Sequence, residues 1–222
     1  MLTTALPARV GVIGDVHAEH LRLEAALDHL AARGVGAVLC VGDLADGPGS
    51  LPRCVELLRE RHVITVRGNH DRWLLAGTLR ELPEATRLED LPEATRAYLE
   101  GLPVTRDFSS PLGGLLLCHG LGENDMAKVG PEDFGYSVEV NDDLQALVRD
   151  VRYRLVVNGH SHRAMVREFT GLTVINGGTL RGADEAGFLS VDFETRQVEL
   201  FRWTGGAIEL QRREELFASK GC

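Results

Sequence analysis

Five short, largely apolar runs in this chain each stop at a cluster of side chains able to bind a metal ion. Residues 9–14 lead into Asp15-Val16-His17, and residues 37–41 into Gly42-Asp43-Leu44-Ala45-Asp46. Residues 62–66 precede Gly68-Asn69-His70-Asp71, residues 114–118 stop at His119-Gly120, and residues 154–158 at Gly159-His160-Ser161-His162. Apolar runs of about five residues have the length of buried strands, and strands buried on both faces belong to parallel sheets covered by helices. Open sheets of that kind bind ligands just beyond the carboxyl ends of their strands. Groups far apart in the sequence are therefore delivered to one place.

The stretches between the first runs have helical periodicity. Leu23, Ala26, Leu27 and Leu30 share one face of a helix over residues 21–32, with Gly34 as its stop. A second helix, Leu51–Glu60, opens at Ser50 as N-cap. The resulting β-α-β-α-β order implies parallel strands with right-handed crossovers. Residues 72–101 are helical in tone and broken at Pro83 and Pro92. The six residues Leu-Pro-Glu-Ala-Thr-Arg occur there twice, at 82–87 and 91–96, and read as two helix starts. Residues 144–151 form a further expected helix. The last third is strand-like, over 164–169, Leu172–Asn176, 188–193 and 197–203, with a hairpin turn at Thr170-Gly171. The tail, 209–218, reads as an amphipathic helix or an extension of the last strand, its Arg212-Arg213-Glu214-Glu215 a solvated face. The expected fold is α/β, one domain over residues 1–222, with two mixed β-sheets packed as a sandwich and flanked by helices.

The 222 residues suit a single core. A net charge of −9, with scattered basic residues, argues against long nucleic acid as the main partner, since a protein gripping a phosphate backbone gathers its cations on one face. A small phosphorylated substrate remains open, because bound metal ions can supply positive charge locally. No stretch reaches the roughly 18 apolar residues of a membrane helix, and the first residues lack the basic and long apolar regions of a secretory signal. The four cysteines, Cys40, Cys54, Cys118 and Cys222, show no C-x-x-C spacing, and Cys40 and Cys118 end apolar runs as core thiols. The expected location is cytoplasmic. The sequence sets no oligomeric state.

Five of the eight histidines (His17, His70, His119, His160 and His162) stand in the strand-end clusters, together with Asp15, Asp43 and Asn69. The absence of cysteine from these clusters weighs against thiolate zinc and iron–sulfur centres. Imidazole mixed with carboxylate oxygen suits Mn, Fe, Zn, Co or Ni and does not choose between them. The donors are too many for one tetrahedral ion, and two ions sharing a carboxylate fit the count better.

The ordered blocks D-x-H, G-D-x-x-D, G-N-H-D, H-G and G-H-x-H, running from Asp15 to His162, resemble the signature of the calcineurin-like metallophosphoesterases. The His160-Ser161-His162 block and the short chain resemble the compact bacterial phosphodiesterases of that family. The resemblance implies that Asp15, His17, Asp43 and His162 hold one divalent ion, and that Asp43, Asn69, His119 and His160 hold a second, with Asp43 bridging. It gives His70 the part of a catalytic histidine that is not a ligand, and Asp46 that of the carboxylate orienting it. Two ions about 3.5–4 Å apart clamp the attacking and leaving oxygens and bring the pKa of a bound water toward ~7. The implied reaction is in-line attack of the bridging hydroxide on phosphorus, with His70 as general acid. Asp71 reads as a helix N-cap.

One position departs from the family. Where its protein phosphatases carry an arginine after the second aspartate of G-D-x-x-D, this chain has Gly47. A dianionic monoester profits from a guanidinium fork more than a diester does. Phosphodiesterase is therefore the first expectation, with Arg72 or Arg163 as candidate substrate-binding substitutes. The alternatives are a phosphomonoesterase, resembling a protein Ser/Thr phosphatase or a dinucleotide polyphosphate hydrolase, and an inactive scaffold of the same fold. The scaffold is disfavoured because every matching position is filled. Residues 72–101 and 121–140, the latter with Asp125, Phe134 and Tyr136, flank the site and are where specificity is expected.

Overall fold

The computed structural model describes residues 4–78, 81–182 and 186–217. In chain order the elements are β1 (Thr4–Ala5), β2 (Arg9–Ile13), α1 (His20–Ala32), β3 (Ala37–Cys40), α2 (Leu51–Glu60), β4 (Ile64–Thr65) and α3 (Asn69–Leu75). A 3-10 turn at Leu88–Asp90 precedes α4 (Glu93–Glu100), β5 (Thr105–Ser110), β6 (Gly113–Cys118), α5 (Tyr136–Glu139) and α6 (Asp142–Arg149). The remainder is β7 (Leu155–Asn158), β8 (Met165–Phe169), β9 (Leu172–Asn176), β10 (Gly187–Asp192), β11 (Gln197–Thr204) and β12 (Ala207–Glu215).

The strands make two six-stranded sheets, ordered β12-β11-β10-β2-β3-β4 and β1-β5-β6-β7-β9-β8. In the first, β2, β3 and β4 are parallel, and β10, β11 and β12 add antiparallel. In the second, β6, β7 and β9 are parallel, with β5 and β8 antiparallel beside them. Both sheets are thus mixed, as expected.

Alternation along each strand divides the apolar side chains between two interfaces. Val10 and Val12 of β2 and Leu39 of β3 turn toward Leu115, Leu117, Leu155, Val157 and Ile175 of the other sheet, filling the sandwich. Ile13 and Cys40 turn the other way, onto Leu23, Leu27 and Leu30 of α1 and Leu57 and Leu58 of α2. On the far side Leu116, Val156 and Val174 pack on Leu144 and Leu147 of α6. The helix–sheet contact is close at Gly11, where a Cβ would come within 2.6 Å of a Leu30 methyl. Cys40, Cys54 and Cys118 are free and buried, while Cys222 lies outside the described residues. Among the described residues no helix is long and apolar enough to cross a membrane.

Two local expectations need correction, and for the tail one of two alternatives is found. The helix after Gly68 begins at Asn69, not at 72, and ends at Leu75. Of the two six-residue copies only the second starts a helix: Thr95 and Leu99 give α4 a buried face, whereas Leu82 is 40% exposed and residues 82–87 hold a single turn at Pro83-Glu84. Identical letters sit in different surroundings: Leu91 and Thr95 of the second copy are buried with Leu99, while Thr86 of the first is bonded to Asp46. The tail pairs antiparallel with β11 through Gly205-Gly206, both at positive φ (58° and 88°), the backbone a two-residue hairpin requires. Strand extension is therefore the structure found up to Glu215, and Ala218 lies outside the described residues.

Candidate metal centre

Sharp turns at the strand ends aim the polar side chains. His17, Asp43, Asp46, His160 and His162 all have φ between 47° and 65°, a left-handed conformation costing a non-glycine residue roughly 1–2 kcal/mol. Hydrogen bonds between the turns offset that cost. The Asp43 carbonyl accepts from the N–H groups of Val16 and His17 at 3.0 and 2.8 Å. The Asp71 carboxylate ties two motif blocks together, accepting from Leu44 N–H (2.9 Å), Ala45 N–H (3.1 Å) and Gly68 N–H (3.0 Å). Asp71 is thus the third residue of α3, bonding back to its start, while Gly68 occupies the N-cap.

Asp43 stands at the middle of the site. Ligand atoms of His17, Asp43 and His162 lie within 4.8 Å of one another, and so do those of Asp43, His119 and His160. Asn69 joins the second group, its Oδ1 2.9 Å from His119 Nε2. Asp15 is in neither group of three but borders the second, its oxygens accepting the His160 N–H at 3.1–3.2 Å and one of them 3.5 Å from His119 Nδ1. Asp15, His17, Asp43, Asn69 and His119 are all buried.

The hydrogen-bond chemistry of the two groups suits cations. His17 Nδ1 faces the carbonyls of Ala45 and Asp46 at 3.1 and 3.0 Å, and carbonyls only accept, so this nitrogen carries the hydrogen. The Nε2 lone pair is then left facing His162 Nε2 at 3.1 Å. His119 Nδ1 likewise donates to the Val41 carbonyl at 2.9 Å, which points its Nε2 at Asn69 Oδ1 and at Asp43 Oδ2, 3.3 Å away. Acceptors converging on acceptors need a proton or a metal ion between them. Without a metal, burial opposes a charged His119, but Asp43 and Asp15 outweigh it and push its pKa up to about 10. Burial, with His17 second, takes His162 down to about 4. Burial also lowers His17 and His160 and lifts Asp15 to about 7, against the pull of His119. Asp43 stays low despite burial, because His119 and then His70 and His17 favour its charge. Divalent ions would occupy both groups of lone pairs and offset the carboxylates, so the residues fit two of them.

His70 stands beside these groups, its ring edge-on to His17 with centroids 5.0 Å apart. Its Nδ1 donates to Asp46 Oδ2 at 2.6 Å, and its backbone N–H to Asp43 Oδ1 at 2.8 Å. Burial acts to lower the His70 pKa, but the Asp46 hydrogen bond and the charges of Asp43 and Asp46 raise it above its ordinary value. The two candidate arginines are engaged elsewhere. Arg72 grips Asp125 through two bonds of 2.6 and 2.9 Å, and Arg163 meets Glu132 at 2.6 Å.

Residues outside the five blocks hold the site as well. Asn176 Nδ2 donates to the Gly159 carbonyl at 2.6 Å and lies near Asn158 Oδ1 (3.1 Å) and Ser161 Oγ (3.2 Å), fixing the turn that carries His160 and His162. Asn158 Nδ2 reaches the Gly120 carbonyl at 2.8 Å. Both asparagines end apolar runs, the signal that marked the other blocks. Thr86 bonds Asp46, and nothing in the sequence around it gives that away.

The family model of the calcineurin-like phosphoesterase superfamily domain matches residues 9–196. The chain belongs to this superfamily. Every strand-end block lies inside the matched span. Uncharacterized protein MJ0912 of Methanocaldococcus jannaschii is 40% identical over 63 residues, 28% of this chain and 26% of that protein, so the match spans about a quarter of the relative's length. Among solved structures, hypothetical protein PH1004 of Pyrococcus horikoshii OT3 superposes with a TM-score of 0.68 at 20% identity, over 86% of each chain. A novel archaeal phosphodiesterase gives 0.55 at 16% identity, over 86% of this chain and 98% of that one. At these identities the likeness is one of fold, and it is the fold that a calcineurin-like phosphoesterase needs.

Proposed function

We propose that this chain is a metal-dependent phosphoesterase acting first on phosphodiesters, a single domain working on a small phosphorylated substrate. The observation that carries the reading is the convergence of two groups of lone pairs on the shared Asp43, with His70 and Asp46 alongside. Asp15, His17, Asp43 and His162 would hold one divalent ion, and Asp43, Asn69, His119 and His160 the other, with Mn as first choice. Two such ions supply Lewis-acid charge to the phosphoryl oxygens and an activated water.

The protein's own residues do the rest. Asp46 accepts the His70 Nδ1–H, which fixes the ring and favours its protonated form. The other ring nitrogen, Nε2, then carries the proton that a departing alkoxide requires. With Gly47 at the position after Asp46, and with Arg72 and Arg163 held by Asp125 and Glu132, the guanidinium that a dianionic monoester would exploit is otherwise engaged. That favours the diester, as does the fold shared with an archaeal phosphodiesterase.

The test is hydrolysis of bis-p-nitrophenyl phosphate beside p-nitrophenyl phosphate, by chelated enzyme with and without added Mn²⁺, with His70→Ala alongside. Diester cleavage that needs metal and falls by roughly a hundredfold or more in His70→Ala supports the reading. Preference for the monoester would rank the phosphomonoesterase first. Hydrolysis of neither substrate by the metal-loaded protein would leave the scaffold.

A further inference from the structure

Asp46 is gripped from two sides. Its Oδ2 accepts the His70 Nδ1–H at 2.6 Å, while its Oδ1 accepts the backbone N–H of Thr86 at 2.8 Å. The Thr86 hydroxyl in turn accepts the backbone N–H of Asp46 at 3.0 Å. This reciprocal pair closes on a residue whose backbone is left-handed (φ 65°) and whose side chain is almost wholly buried. A lone carboxylate can turn about its Cβ–Cγ bond, since that torsion is broad. One held at both oxygens and at its own N–H cannot turn without breaking a bond.

Thr86 arrives from the first six-residue copy, residues 82–87. In the second copy the equivalent Thr95 is merely a buried residue of α4. The first copy lies as a strap against the Asp46 turn, and its Glu84 makes an exposed ion pair with Arg181 at 3.0 Å. Leu82, Pro83 and Thr86 of this segment line a cavity of about 460 Å³ together with Leu74, Thr78 and Leu88.

We propose that Thr86 is a positioning residue of the active site: its backbone N–H holds one oxygen of the Asp46 carboxylate, and its hydroxyl holds the Asp46 N–H and so the strained turn that aims this carboxylate at His70. The proposal rests on the reading of His70 as proton donor to the leaving group. Thr86→Val keeps the shape of the side chain, removes the hydroxyl and leaves the Asp46 N–H without that acceptor. Thr86→Ser keeps the hydroxyl.

The experiment measures kcat and KM for the Mn²⁺-loaded enzyme on two diesters, one releasing p-nitrophenol and one releasing the poorer leaving group phenol. Wild type, Thr86→Val, Thr86→Ser, His70→Ala and the Thr86→Val/His70→Ala double variant are compared. In Thr86→Val, kcat on the phenyl ester should fall roughly tenfold, the effect of one buried hydrogen bond. The p-nitrophenyl ester, which needs the proton less, should suffer less. KM and metal content should hold, Thr86→Ser should restore the rate, and Thr86→Val should cost nothing further in the His70→Ala background. Thr86→Ala serves the same comparison should the valine variant not fold. If His70→Ala is impaired while Thr86→Val matches wild type, or loses rate equally on both esters and equally without His70, the positioning role is overturned and the reading of His70 stands. If His70→Ala itself keeps full rate on the phenyl ester, both are overturned.

Discussion

The Nε2 atoms of His17 and His162 face each other at 3.1 Å, while His17 Nδ1 is committed to two backbone carbonyls. Burial makes a net charge on either ring costly in the folded, metal-free protein, and His162 sits at about 4. An unfolded histidine titrates near 6.5. Between those values the unfolded chain binds more protons than the folded one, so stability is full above about 6.5 and is lost as pH falls toward 4. His162 alone accounts for at most about 3 kcal/mol. Urea unfolding of chelated protein at pH 7 and pH 5 should show wild type losing more stability than His162→Gln between the two. An equal loss in both proteins would mean that His162 keeps its ordinary pKa.

Asp43 is shared by both donor groups, and one of its oxygens also accepts the N–H of His70 at the start of α3. Asp43→Ala is therefore expected to abolish binding of both ions, whereas Asn69→Ala should weaken one. Elemental analysis after equilibration with Mn²⁺ would read about two ions in wild type, none in Asp43→Ala, and an intermediate value in Asn69→Ala. Activity in Asp43→Ala should fall at least about a thousandfold, because the charge that stabilises the transition state goes with the ions.

The parts of this architecture legible in the sequence are those where one residue type has one job. An apolar run ending in aspartate or histidine marks both a strand and its terminus, so the parallel strands and the strand-end clusters could be read off directly. The antiparallel edges were harder. β5, Thr-Arg-Asp-Phe-Ser-Ser, has a single buried side chain, Phe108, and β12 is exposed almost throughout, so neither shows an apolar pattern. The hairpin at Gly205-Gly206 was missed, although two adjacent glycines are a signal that could have found it. The contacts of Thr86 and the partners of Arg72 and Arg163 depend on how distant loops lie against one another, and no local periodicity encodes that.

Asp71 belongs to the G-N-H-D block, yet its carboxylate bonds to backbone N–H groups of Gly68, Leu44 and Ala45. Burial, with Asp43 second, lifts its pKa to about 6. Asp71→Ala would leave three donors without that acceptor, at a cost of about 3 kcal/mol or more. Asp71→Asn keeps one accepting oxygen and should cost less. Chemical denaturation would rank them wild type, Asp71→Asn, Asp71→Ala in falling stability. Metal content after equilibration with Mn²⁺ should hold in Asp71→Asn, whereas replacing a metal ligand would lose an ion.

Arg72 directly follows Asp71 on α3, and its guanidinium is held by Asp125 in a two-bond fork, which also holds its pKa up. A guanidinium already paired with a carboxylate offers little to an incoming phosphate. Arg72→Ala should therefore change diester kcat/KM by less than about threefold, since a partly exposed ion pair contributes ~1 kcal/mol or less. Asp125→Ala should do more. It releases a cation next to His70 and Asp71, and a dianionic monoester gains more from a free fork than a monoanionic diester does. The ratio of p-nitrophenyl phosphate to bis-p-nitrophenyl phosphate hydrolysis should rise in Asp125→Ala, and the rise should vanish in the Arg72→Ala/Asp125→Ala double variant. An unchanged ratio would mean that the freed guanidinium does not reach the substrate, and that the substrate preference has to be sought in Gly47 and the loops around it.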